Sequence, residues 1–137
     1  MKKSNKGFTL LELLIALAIL AIIAAIIIPN FFITTDRARL RSDIQSARVI
    51  QNSVELYRAE RGRVPTGDMN AMLTTLTTAG FLRARYTDIQ TEGAVWVNDA
   101  NLGIVVNINA SPANIHSIYN GLPETERRFV TGGQASN

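Results

Sequence analysis

A long apolar stretch near the start of the chain limits its possible folds more than any other feature. From Phe8 to Ile28 every residue is apolar except Thr9 and Glu12. As a helix rising about 1.5 Å per residue, this stretch is long enough to cross the roughly 30 Å hydrocarbon core of a bilayer. The sequence therefore predicts a transmembrane helix over residues 8–28, with one acid close to its beginning.

Two ordinary interpretations of this stretch fit poorly. A secretory signal peptide has an apolar core of about 7–15 residues followed by a small-residue cleavage site. The stretch here is longer and continues into Pro29 with no such site. A plain membrane anchor explains the length but not Glu12, because an acid at membrane depth is unfavourable and is normally kept for a partner or a function.

The residues around Glu12 form a recognisable pattern. A basic leader ends in Gly7, the string Phe8-Thr9-Leu10-Leu11-Glu12 follows, and a long apolar helix with Pro29 comes next. This pattern resembles the N-terminus of type IV pilins and type II secretion pseudopilins. The resemblance is close over residues 2–30, looser to about residue 82 and weak beyond.

The resemblance implies how the chain is processed and assembled. A prepilin peptidase would cut between Gly7 and Phe8, so that residues 1–7 are a cleaved leader, and would methylate the new Phe8 amine. Glu12 would then pair with the Phe8 amine of a neighbouring subunit in a helical homopolymer built on an inner-membrane assembly platform. The pair would fix the register between subunits, since only one offset leaves neither charge alone, while its net energy is modest because both ions lose hydration.

The net charge of +3 comes mainly from the leader. All three lysines lie in residues 1–7, and the remaining 11 arginines balance 11 acids. A mature chain would be neutral, which argues against a general affinity for nucleic acid. The absence of cysteine excludes disulfides, cysteine nucleophiles and thiolate metal sites.

The leader lysines also predict orientation. Positive charge before the span favours a cytoplasmic N-terminus, and a downstream domain of this size crosses the membrane largely regardless of its own arginines. We expect a single-pass protein of the cytoplasmic (inner) membrane, in contact with lipid before assembly. It would then become part of an extracellular pilus or a filament that spans the periplasm.

Apolar residues beyond Pro29 still recur near the helical period, up to a stop at Gly62. We therefore predict a spine helix over residues 8–61, kinked at Pro29 because proline removes one N–H and crowds the preceding turn. Arginines at positions 37–48 are expected to pair with acids such as Asp36, Asp43 and Glu55. For Arg39 and Asp43 the spacing is i, i+4.

Residues 62–137 are predicted to form a small α/β head. Asp68 would cap a helix that stops at Gly80, two strands would meet at a turn at 99–101, and Ser111 would cap a short helix. Phe129 and Val130 would add a last strand. The predicted fold class is α+β and pilin-like: a long kinked N-terminal helix packed on short helices and an antiparallel sheet.

No catalytic or metal-binding pattern is present. His116 has no serine or cysteine partner at a recognisable spacing. Asn98, Asp99 and Asn101 form a turn rather than a calcium loop, which needs alternating acids and a distal glutamate. Trp96 is expected to belong to the core or the hairpin face. We therefore predict no enzymatic activity and no cofactor.

These features favour a structural subunit of a type IV pilus or pilus-like filament. One alternative is a pseudopilin of a type II secretion or competence system. The chain lacks the Asp-Pro-Trp-Gly-like stretch and the C-terminal acidic calcium ligands usual in major pseudopilins, which favours a pilin. Another alternative is a filament-borne adhesin or DNA-binding subunit whose arginines contact phosphate, but these arginines follow the span directly, where pairing between subunits is the better interpretation.

Overall fold

The computed structural model describes residues 8–133, without the side chains of Pro29 and Asn30. The predicted leader with Gly7 and the last four residues of the predicted head lie outside the described residues. Helix α1 covers Leu10–Arg61 and continues through Pro29. It ends before Gly62, which has φ +69° and donates its N–H to the Arg58 carbonyl at 2.8 Å. The predicted single helix is confirmed, while the kink at Pro29 stays a prediction.

The chain consists of two compact units, and the boundary between them lies between Thr34 and Thr35, inside α1. In the first unit, every described side chain from Phe8 to Thr34 is exposed. In the second unit, one face of α1 packs into the core of the head because its apolar residues recur at helical spacing. The buried residues of that face are Leu40, Ile44, Ala47, Ile50, Val54 and Tyr57.

Helix α2, Met69–Thr78, forms as the sequence predicts. The Asp68 carboxylate caps it by accepting the Ala71 N–H at 2.8 Å. Gly80, with φ +81°, ends the helix. The N–H groups of Phe81 and Leu82 then donate to the Leu76 carbonyl at 2.9 and 3.1 Å. The Phe81 ring then packs edge-on against Tyr57 of α1, which joins this helix end to the spine. A short 3-10 turn over Ala84–Tyr86 follows.

Within residues 8–133 the sheet has three strands, and their order in space follows their order along the chain. Strands β1, Val95–Asp99, and β2, Gly103–Asn107, form the predicted antiparallel hairpin. Strand β3, Val130–Thr131, pairs parallel to β2, so the sheet is mixed rather than wholly antiparallel. The parallel pairing is possible because helices α3, Ala113–Asn120, and α4, Glu124–Arg127, lie between β2 and β3 along the chain.

The predicted cap of α3 is wrong. Pro112 occupies the cap position, and the Ser111 hydroxyl is buried without a partner in the described part of the chain. Ser111 is instead held in a turn by its own N–H, which bonds to the Ile108 carbonyl at 2.9 Å. The predicted inner face of this helix is confirmed, with Ile115 and Ile118 buried.

Candidate functional site

The first turn of α1 contains the predicted assembly residues. The Thr9 hydroxyl accepts the N–H of Glu12 at 3.3 Å, and the Thr9 carbonyl accepts the N–H of Leu13 at 3.2 Å. Thr9 is therefore the N-cap, and its spacing to Glu12 is that of a capping box. Our sequence interpretation missed this cap, although the Thr-x-x-Glu pattern was available to find it.

The Glu12 carboxylate makes no hydrogen bond or ion pair with any residue between 8 and 133. It lies in the first helical turn, where the helix dipole favours a negative charge. Phe8 precedes the helix and is 80 % exposed. The predicted cleavage site includes Gly7, which lies outside the described residues, and the predicted contact between Phe8 and Glu12 joins two subunits. Both therefore remain predictions.

A continuous apolar surface surrounds this acid. The large hydrophobic side chains from Phe8 to Ile33 are about half exposed or more, up to 81 % for Leu10. Within residues 8–133, one helix is long and apolar enough to cross a membrane, judged by its length and composition, and it is α1. Because water strongly disfavours so much exposed apolar surface, lipid or other helices must cover it.

Asp43 is not an arginine partner, contrary to the prediction. It lies on the face of α1 that enters the head, its exposure is 0 %, and its carboxylate accepts backbone N–H groups from the loop before β1. The Gln90 N–H lies 2.9 and 3.1 Å from its two oxygens, and the Thr91 N–H lies 2.7 Å from one of them. A buried carboxylate is stable in such a site because the two amides supply charge-assisted hydrogen bonds.

The predicted pairing of arginines with Asp36 and Glu55 is between subunits and stays a prediction, but of these two acids only Asp36 has an arginine partner within the described residues of the chain. Arg39 contacts Asp36 at 3.4 Å, across three residues rather than four, and Asp36 also accepts a bond from Asn114. Glu55 accepts a bond from Gln51 at 3.4 Å and has no arginine partner among the described residues.

Two further arginines of this segment reach the head. Arg41 reaches across to Glu126 at 3.2 Å, and Arg48 stacks on the Phe129 ring. Three of the four arginines at positions 37–48 thus contact other side chains of the second unit, and the DNA-binding alternative stays a prediction.

The remaining candidate residues have structural positions. The Asp99 carboxylate accepts the N–H groups of Asn101 and Leu102 in the hairpin turn, and the Asn101 bond, followed by the Leu102 bond, lowers the pKa of Asp99 from its usual value. The Trp96 indole donates to the Thr87 carbonyl at 2.8 Å. His116 Nδ1 is buried without a partner in residues 8–133. In that range no three His, Asp or Glu side chains group as a metal site would require.

The comparison with protein families concerns the same N-terminal region. The prokaryotic N-terminal methylation motif matches residues 2–28. The chain carries a prepilin-type N-terminal methylation motif. This motif and the fold confirm the resemblance stated from the string Phe8–Glu12. Proteins of the pilin and pseudopilin family are structural subunits, not enzymes.

Curated relatives match part of the chain. Prepilin peptidase-dependent protein A of Clostridium perfringens is 48 % identical over 60 residues, which are 42 % of this chain and 43 % of the relative. Type II secretion system core protein G of Klebsiella michiganensis is 27 % identical over 75 residues, 53 % of each chain. The Vibrio cholerae protein of the same name is 31 % identical over 70 residues, 50 % of this chain and 48 % of the relative. The chain thus spans about half the length of the curated relatives it matches, and no solved structure matches it.

Proposed function

We propose that this chain is a structural subunit of a type IV pilus or pilus-like filament, and that it polymerises through its N-terminal helix. The observation that carries the proposal is the exposed apolar surface of residues 8–33, interrupted by the single acid Glu12 inside the methylation motif. A globular protein would bury such a surface, whereas a filament subunit uses it in two environments. Lipid covers it before assembly and neighbouring helices cover it afterwards.

The proposed path begins in the cytoplasmic membrane. Lysines of the leader hold the N-terminus on the cytoplasmic side, and a prepilin peptidase removes residues 1–7 and methylates the Phe8 amine. One of the relatives has the name prepilin peptidase-dependent protein, which supports this step. An inner-membrane assembly platform then moves the subunit from lipid into the base of the filament.

Packing and charge pairing drive assembly. Moving an apolar helix from lipid to a helix bundle exchanges one apolar neighbour for another, so release from water contributes little. Glu12 of one subunit pairs with the Phe8 amine of its neighbour, and both charges are then neutralised where little water is present. The Glu12 carboxylate has no partner between residues 8 and 133 and Phe8 is exposed, and both observations are compatible with this contact.

A second candidate is a pseudopilin of a type II secretion system. It is favoured by the relatives named type II secretion system core protein G in Klebsiella michiganensis and Vibrio cholerae. Deleting the gene separates the two candidates. Loss of surface filaments with normal protein export indicates a pilus, whereas accumulation of export substrates in the periplasm indicates a pseudopilus. The neighbouring genes, a retraction ATPase or a secretion channel, give an independent answer.

The experiment that tests the proposal is the mass of the subunit in sheared filaments. Filaments from cells that express the chain should contain a subunit that begins at N-methylated Phe8. A subunit that retains the seven leader residues, or preparations without this chain, would contradict the proposal. As a control, Gly7→Leu places a bulky side chain at the cleavage site and should leave the uncleaved precursor in the membrane fraction.

A further inference from the structure

Two arginines flank one aromatic ring on the surface of the head. The guanidinium carbons of Arg48, on α1, and Arg128, after α4, lie 4.7 and 4.8 Å from the centre of the Phe129 ring. Together with Gln51 and Asn52 they line a cleft of about 260 Å³. We call this the arginine cleft. Its two like charges repel each other, so an anion bound close to both would relieve that repulsion.

Neither arginine of the cleft is neutralised inside the chain. Within residues 8–133, neither guanidinium makes a hydrogen bond or ion pair, and the Nε of Arg48 is buried without a partner. Arg128 lies four residues after Glu124, a spacing that permits an ion pair, but it stacks on Phe129 instead. A partly desolvated guanidinium without a partner is unfavourable, and carboxylates are the groups that its planar fork of donors fits best.

A complementary acidic site lies on the loop before β1. Asp88 and Glu92 are exposed, and neither carboxylate has a partner in the described part of the chain. Between them, the backbone of Gln90 and Thr91 is fixed by hydrogen bonds to the buried Asp43. We call residues 88–92 the acidic loop. Because its centre is fixed, binding would have to order the two acidic side chains but not the backbone of Gln90 and Thr91.

The nearest arginine in sequence does not neutralise this loop. Arg85 donates to the Tyr86 hydroxyl at 2.8 Å and its guanidinium stacks on the same ring at 4.7 Å. Both carboxylates of the loop are therefore available to another molecule. Two cations on one surface and two anions on another form a pair of complementary sites.

The two sites face different directions on the spine helix. Asp43, which holds the acidic loop, and Arg48 are five residues apart, which is a rotation of about 140° around α1. A contact between the sites is thus made most directly between two copies. Because it joins different surfaces of each copy, it can repeat without closing, as a helical filament requires.

We propose that the arginine cleft of one copy binds the Asp88 and Glu92 carboxylates of the next copy in the filament. This inference rests on the proposed function and names one contact between heads. The contact adds to the register that the N-terminal helices set. Lying near the surface, it contributes to specificity and to correct alignment through charge complementarity.

Charge reversal in the full-length chain tests this contact. In cells with their own assembly system, Arg48→Glu with Arg128→Glu should lower the yield of sheared filaments at least about tenfold, while the membrane-bound subunit level holds. Asp88→Arg with Glu92→Arg should have the same effect. Combining all four substitutions should restore most of the yield. The matched control, Arg63→Glu with Arg83→Glu, changes the charge equally at exposed arginines outside the cleft and should assemble normally.

A covalent test does not depend on charge, and it is clean because the chain has no cysteine. Asn52→Cys with Glu92→Cys should give a ladder of disulfide-linked subunits in oxidised filaments. Asn52→Cys with Asn70→Cys, which places the second thiol on α2, should not.

The outcomes separate this inference from the proposed function. Normal filaments from both reversed pairs, no rescue in the fourfold variant, or no difference between the two ladders would overturn the contact between heads while the filament proposal stands. Loss of filaments only with the reversed arginines would show that the cleft takes a different anion, and this also overturns the contact. Absence of filaments from the unmodified chain would instead contradict the proposed function itself.

Discussion

Replacing Asp43 by asparagine should destabilise the head by about 2–4 kcal/mol, although the two side chains have nearly the same size. The carboxylate is fully buried and accepts the N–H groups of both Gln90 and Thr91. Hydrogen bonds to a charged group contribute about 1.5–3 kcal/mol each, and a buried donor left unpaired costs about 1–3 kcal/mol. Asparagine keeps one acceptor oxygen but turns an NH2 group toward the second amide, so at least one donor loses its partner.

The single tryptophan provides the assay. Trp96 lies on β1 and donates to the Thr87 carbonyl, so its fluorescence reports on the head and not on the membrane helix. Thermal unfolding of the detergent-solubilised chain should show a midpoint lower by roughly 8–32 °C for Asp43→Asn, at about 4–8 °C per kcal/mol for a domain of this size. Asp43→Ala should be worse, since both amides lose their acceptor.

Glu92→Gln is the matched control for this measurement. It removes an exposed acid from the same loop and should change stability by less than about 0.5 kcal/mol. If Asp43→Asn unfolds within about 3 °C of the unmodified chain while the control behaves as expected, the carboxylate does not hold the loop. The reasoning that Asp43 fixes the backbone of the acidic loop would then be refuted.

Two further predictions concern the turns of the head. Gly93 and Gly62 both have φ near +70°, but an added Cβ would lie 2.5 Å from a backbone oxygen at Gly93 and would meet nothing at Gly62. Gly62→Ala should therefore cost about 1–2 kcal/mol, whereas Gly93→Ala should cost roughly 2–4 kcal/mol because steric strain is added, and equal losses in thermal melts would contradict this. Since its turn amides lower the pKa of Asp99, its contribution is complete above its usual value of 3.8 and is lost as pH falls through the lower, folded pKa. A carboxyl-carbon NMR titration should give a midpoint below 3.8, and one at or above it would show that the turn does not stabilise the carboxylate.

Sequence reasoning succeeded where the signals are local. The apolar period and Gly62 predict the extent of α1, and Asp68 with Gly80 brackets α2 within a residue or two. Each of these signals acts within one or two turns of chain, so no knowledge of distant partners is needed. The same reasoning predicted the hairpin around Asp99, because the turn residues bond to their own neighbours.

It failed where a residue's partner is distant in sequence. The arginines near Asp43 on the helix led to the prediction that Asp43 pairs with an arginine. The amides that it binds are instead 47 and 48 residues away in sequence. The direction of β3 depends on how α3 and α4 pack and not on the strand itself. The arginine cleft brings Arg48 and Arg128 to the same Phe129 ring. Arg128 is next to Phe129 in sequence, but Arg48 is far from it, so the sequence gives no sign of the cleft.

The cap at Thr9 changes how the most obvious assembly mutation has to be interpreted. If Glu12 pairs with a neighbour's Phe8 amine, Glu12→Ala should be inserted and cleaved normally and yet assemble poorly. Insertion should even be easier by roughly 2–3 kcal/mol, because an acid leaves the membrane segment. However, Glu12 is also the fourth residue of a Thr-x-x-Glu pattern in which the Thr9 hydroxyl accepts the Glu12 N–H. Alanine keeps the N–H that Thr9 caps, but it removes the charge together with a side chain that, at this spacing, can bond back to the Thr9 N–H. Fraying of the first turn is then a competing explanation for poor assembly.

Glu12→Gln separates these two explanations. Glutamine serves in a capping box as glutamate does, so Glu12→Gln retains a side chain that can accept from the Thr9 N–H and removes only the charge. If charge pairing fixes the register, Glu12→Gln should lose filaments nearly as completely as Glu12→Ala, because the neighbouring ammonium is left without a counter-charge in a water-poor bundle. Thr9→Val, which removes the cap and keeps the acid, should retain most of its filaments. The measurement is membrane-bound subunit against sheared filament for all three variants. Filaments from Glu12→Gln at the unmodified level would refute charge pairing, and their loss in Thr9→Val alone would assign the assembly role to the helix cap.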